Sequence, residues 1–152
     1  MYNVGPFFIG LPSMIMIGKP VDNIKKQIQF FNGVKQMNIL EKTDEEILAL
    51  ANPMWADLVK YSNEGNYGAF TRNFSSSFIK GANEIEMGKQ FARSDLAKNL
   101  SDDYSYLGMI RRGEYVTVLY KVLNKKTSAE WLGRLVLGYE NDKVKIFGAT
   151  LF

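Results

Sequence analysis

Asp57 and Tyr61 lie four residues apart in a segment that reads as helix, so a carboxylate and a phenol share one face. They matter because the chain has no histidine and no cysteine. That removes the commonest general base, the commonest metal ligand, thiolate nucleophiles, disulfides and every histidine-containing triad. Catalysis here would have to use carboxylates, Tyr, Lys, Ser or Thr. A second candidate is Arg134, in the middle of a strand-like run, with Glu130 on the same face two side-chain steps away. Arg134 can hold an anion; alternatively it forms an ion pair with Glu130 at a subunit interface. A third group is aromatic. Trp55, Tyr120, Trp131 and Tyr139, joined by Tyr61 at the rim, either stack on a flat apolar ligand or build core. Glu114, Glu130 and Glu140 fall near strand ends, so no carboxylate occupies the middle of a strand. The acidic runs Asp44-Glu45-Glu46 and Asp102-Asp103 have no calcium-loop spacing and read as helix-start and turn residues. No metal site is expected. Gly5, Gly10 and Gly18 have neither the spacing nor the context of a phosphate loop.

These residues must be positioned by an α+β fold. Four apolar runs, Tyr104–Ile110, Tyr115–Leu123, Ala129–Tyr139 and Lys143–Phe152, are separated by short turns at Arg112-Gly113, Asn124-Lys125-Lys126-Thr127 and Asn141-Asp142. Loops this short join antiparallel strands, because parallel strands need a long crossover. One face of the second run is Val116, Val118, Tyr120 and Val122; the other, with Thr117 and Lys121, is mixed. The third run divides the same way, with Trp131, Gly133, Leu135 and Leu137 on one face and Leu132, Arg134 and Val136 on the other. Both faces are too apolar for open water, so the sheet is expected to be covered on both sides. Gly108, Gly133, Gly138 and Gly148 inside strands predict bulges and a strongly curved sheet.

Ahead of the meander, Thr43 with Glu46 three residues on makes a capping box. The stripe Ile47, Leu50, Ala51, Met54, Trp55, Leu58 predicts a helix to about Asn63-Glu64-Gly65, kinked or broken near Asn52 by Pro53. Asn66 caps a short helix through about Phe74, Phe78-Ile79 reads as a brief strand, and residues 83–100 as a third helix. Residues 1–42 form an N-terminal extension, with a short helix over Pro20–Phe31. Its apolar stretch Val4–Ile17 is interrupted by Pro6 and Pro12, and its first basic residue, Lys19, follows the stretch. It therefore reads as an arm covering the domain or crossing to a partner subunit, not as a targeting or membrane segment.

The net charge of +3 is spread thinly, with five basic and five acidic residues in 1–50, six and five in 51–100, and eight and six in 101–152. No part has the concentrated positive charge that nucleic-acid backbones require.

A capped helix, then the junction Asn63-Glu-Gly-Asn-Tyr-Gly-Ala-Phe70 with Phe74 following, then a long C-terminal meander, resembles the nuclear-transport-factor-2-like superfamily (the cystatin-like cone of SnoaL-type cyclases and ketosteroid-isomerase-like enzymes). The resemblance covers residues 43–152 and rests on element order and spacing. It implies a curved antiparallel sheet wrapped around two to three helices, a conical cavity between them, and dimerisation through the outer sheet face. It also gives Asp57 and Tyr61 a possible task, polarising a carbonyl and moving a proton, which requires a carboxyl buried in an apolar cavity. The expectation is a small cytoplasmic homodimer that holds an apolar or aromatic small molecule or a peptide in its cone, with no cofactor, no nucleic acid and no membrane. A cofactor-free isomerase, cyclase or hydrolase in the same cavity, and an interaction domain whose cavity is filled by its own side chains, are the alternatives.

Overall fold

A computed structural model describes residues 37–81, 95–96 and 98–152. Residues 1–36 of the N-terminal extension, with the apolar arm and the Pro20–Phe31 helix, and most of the 83–100 helix lie outside the described residues. Helix α1 spans Asp44–Glu64, with Thr43 as its N-cap. Thr43 Oγ1 accepts from the Glu46 amide (3.2 Å) and Glu46 Oε2 from the Thr43 amide (2.8 Å), which closes the capping box. Gly65 ends the helix at φ 66°, the left-handed conformation that glycine adopts without a Cβ penalty. The helix runs through Pro53 without a break. Pro53 is exposed, and its neighbours Ala51, Trp55, Leu58 and Val59 pack inward on the buried stripe.

Two short helices follow, α2 over Tyr67–Phe70 and α3 over Ser76–Gly81. Asn66 caps α2 as expected, but that helix stops at Phe70. Phe78-Ile79 is helical, not a strand. Ser75 acts as a helix start: its Oγ accepts from the Phe78 amide (3.1 Å). Glu140, distant in sequence, accepts from the amide of Ser76 at 2.9 and 3.1 Å and from its hydroxyl at 3.0 Å. The strand-like residue is Phe74, which forms a parallel bridge with Ile146.

The meander forms one sheet in the order β1 (Leu100–Arg112), β2 (Tyr115–Asn124), β3 (Glu130–Glu140), β4 (Lys143–Leu151), all neighbours antiparallel. Leu100 opens β1, so that strand begins where the 83–100 helix was expected to end. Asn141 and Asp142 both take positive φ (50° and 62°), the signature of a tight hairpin turn whose twist matches its strands. The register shifts three times in the ladders, between Leu100 and Tyr104 and beside Gly108 in β1, and beside Gly148 in β4. Two of the four interior glycines thus flank bulges.

Helix α1 lies against one face of the sheet. That inner face carries Val116, Val118, Tyr120 and Val122 of β2, Leu135 and Leu137 of β3, and Ile146, Ala149 and Leu151 of β4, all buried. The expected apolar face is the core. No helix among the described residues is long and apolar enough to cross a membrane.

Candidate functional site

The aromatic residues singled out by sequence are packed on the inner face. Trp55 of α1 stacks on Tyr120 of β2, centroids 5.0 Å apart, and Tyr104 meets Tyr120 edge-on at 5.4 Å. Tyr120 is fully buried and donates its hydroxyl to Asn52 Oδ1 at 2.8 Å. Burial holds its phenol far above the ordinary value of 10.0. Trp131 and Tyr139 are half-buried and pack against the same cluster. The indole N–H groups of Trp55 and Trp131 are buried and find no acceptor among the described residues.

Asp57 and Tyr61 share a face of α1, and Arg72 joins them. Its guanidinium bonds the Asp57 carboxylate and lies 5.5 Å from the Tyr61 ring centroid, while Lys60 Nζ lies 5.2 Å from the same ring. Asp57 holds the Arg72 guanidinium above its ordinary pKa, chiefly through their hydrogen bond. Both partners of that bond are solvent-accessible, so the pair has the geometry of a surface ion pair.

Arg134 and Glu130 are not paired with each other. Glu130 Oε1 accepts from Lys121 Nζ at 3.3 Å, across the β2–β3 ladder. The β-sheet register puts Arg134 between Leu119 and Thr150, two pleats from Glu130. The Arg134 Nε donates to Thr150 Oγ1 at 3.1 Å, and the guanidinium lies 5.5 Å from the Phe152 ring. Among the described residues it meets no carboxylate. Partial burial lowers its pKa, the direction expected when a cation loses water without gaining a counter-ion.

Arg134 lines a hollow of about 130 Å³ on the outer face of the sheet, shared with Ile110, Arg112, Tyr115, Thr117, Leu119 and Val136. Three strands build it. β1 gives Ile110 and Arg112, β2 gives Tyr115, Thr117 and Leu119, and β3 gives Arg134 and Val136. The Tyr115 ring is placed by Phe147 (centroids 5.1 Å) and by Gly138, where a Cβ would lie 2.8 Å from the ring. The hollow combines two guanidiniums, two hydroxyls and three aliphatic walls, a donor set for an anion attached to an apolar body. Sequence reasoning marked Arg134, with Thr117 and Lys121 as cross-strand neighbours open to register, but missed Arg112 and Tyr115, because only the register shows that they converge. Among the described residues no cluster of three or more acidic side chains is placed to hold a metal. The chain matches no protein-family model, no curated protein and no solved structure.

Proposed function

We propose that the protein is a binding domain for a small carboxylate with a compact apolar or aromatic body, held in the outer-face hollow with Arg134 as its anchor. One observation carries this reading: Arg134 is a partly desolvated guanidinium in an aliphatic-walled hollow, without a carboxylate partner among the described residues. An incoming carboxylate supplies the missing charge and takes the free fork of donors. The size limits the ligand to a small one that the open hollow holds only in part: at about 130 Å³ it is slightly smaller than the cavity of about 150 Å³ that encloses benzene and well below the roughly 300 Å³ of drug-sized sites. Benzoate is a suitable probe. It should raise the melting temperature of the full chain saturably, and benzamide, with the same shape and no charge, should not. Arg134→Met should abolish the rise. No saturable shift with benzoate, or a shift that survives Arg134→Met, would refute the assignment.

A second reading keeps the ligand on the inner face, where the orphan indole donor of half-buried Trp131 would meet a carbonyl acceptor. Such a ligand would change tryptophan fluorescence and would not depend on Arg134.

A further inference from the structure

Among the described residues strand β1 is one edge of the sheet, and its middle exposes Tyr106, Leu107 and Ile110 at 41%, 56% and 53%. Its ends carry opposite charges, Asp102 and Asp103 at the start, Arg111 and Arg112 at the finish. Edges are ordinarily blunted by charged side chains, prolines, inward-pointing charges or bulges; β1 has a bulge, but its charges sit at its two ends with opposite sign. Here a second β1 laid antiparallel finds opposite charges at both ends.

The bulge decides whether those charges meet. Asp103 and Arg112 are nine residues apart, which in a regular strand puts them on opposite faces. The register shift between Tyr106 and Gly108 reverses that parity. Before it, Tyr104 points inward, with its hydroxyl on Asn52 O at 3.3 Å, and Ser105 lies opposite Lys121 of the outer face. After it, Met109 packs on the core, while Ile110 and Arg112 line the outer hollow. A second register shift, between Leu100 and Tyr104, leaves Asp103 without a partner in the ladder; as the exposed residue just before inward-pointing Tyr104 it lies on the outer side, as Arg112 does.

We infer that two copies of the chain pair through β1, antiparallel about a two-fold axis between Leu107 and Gly108, to make one continuous eight-stranded sheet. In that register Asp103 faces Arg112 of the second copy, Ser105 faces Ile110, and Tyr106 faces Met109, so every pair lies on a common face. The two-fold makes each contact twice. Arg111 stays within its own chain, bonded to Asp44 Oδ1 at 2.7 Å and to Lys42 O at 2.9 Å. The Asp103 amide turns back to its own Ser101 hydroxyl (3.0 Å), a local substitute that a neighbouring strand replaces. Arg112 is thereby taken up by the second copy's carboxylate, leaving Arg134 to the hollow. The pairing rests on the edge alone and stands whether or not the hollow binds a ligand.

Sedimentation equilibrium of the full chain from low to high micromolar concentration tests it. Wild type should dimerise. Asp103→Arg and Arg112→Asp should each raise the dimer dissociation constant about tenfold or more, because each turns two attractive pairs into two repulsive ones. The double swap D103R/R112D should restore the wild-type value. Both residues are exposed, so thermal unfolding of the variants checks that the fold is retained. Hydrogen exchange of wild type gives a readout without mutation, since amides in residues 103–112 should gain protection as concentration rises. A monomer throughout, a dimer indifferent to the single changes, or a swap that fails to recover would each overturn the inference.

Discussion

Gly133 is the smallest residue of the inner face and sits beneath the largest. A Cβ there would lie 2.7 Å from Cη2 and Cζ2 of Trp55 and 3.0 Å from Cγ2 of Val122. Trp55 is itself fully enclosed and has no room to retreat. Gly133→Ala should therefore destabilise the protein by about 1–3 kcal/mol, measured as a lower urea midpoint with an unchanged slope. Tyr120 gives a pH signature at the same spot. Its phenol is raised above 10.0 mainly by burial, so the unfolded chain loses that proton before the folded one. Its contribution is intact below about pH 10 and declines as pH rises toward the folded value. The denaturation midpoint should fall as pH rises from about 10 to about 12, and the fall should be smaller in Tyr120→Phe. Chemistry at single residues was only partly legible in the sequence. Arg134 was identifiable because a mid-strand arginine on an otherwise apolar run is costly. Its pairing was not, because Glu130 reaches Lys121 across a ladder whose register the sequence leaves open.

At the scale of elements, α1 is where sequence and structure agree most closely. Its start is written in Thr43 and Glu46, its end in Gly65, and its buried stripe in Ile47, Ala51, Trp55 and Leu58. Thr43→Ala removes one side of the capping box and should cost about 1 kcal/mol by thermal or urea unfolding. Pro53 is the exception, expected to kink or break the helix and instead carried through it on the solvent side. It has no amide to donate to the preceding turn, so Pro53→Ala should stabilise by about 1–3 kcal/mol. The short helices were harder to read for a physical reason. The run around Phe78 is too brief for periodicity to distinguish helix from strand. What decides it is Ser75 at its start and Glu140 arriving from the end of β3.

Over the whole molecule, a few long-range polar contacts join the layers. Asn63, near the end of α1, takes both backbone groups of Leu100: its Oδ1 accepts from the Leu100 amide at 2.9 Å and its Nδ2 donates to the Leu100 carbonyl at 2.8 Å. The side chain thus behaves as a one-residue strand that starts β1 against the helix. Asn63→Ala leaves both groups of a fully buried residue without partners and should cost about 1–3 kcal/mol, with hydrogen exchange accelerating first at the beginning of β1. The Ser75 amide on Ile146 O (2.8 Å) and the Ile146 amide on Asn73 O (2.7 Å) do the same for the other edge of the sheet. By itself the sequence determined the four strands, their antiparallel order and the apolar faces of β2 and β3, because period-two alternation and short turns are local properties of the chain. Only the tertiary structure decided that Trp55 and Tyr120 stack on each other in the core, that Arg134, Arg112 and Thr117 gather in one hollow, and that the bulge before Gly108 puts Ser105 and Ile110 on the same face. Those outcomes depend on register, and one residue of shift sends every side chain to the opposite side.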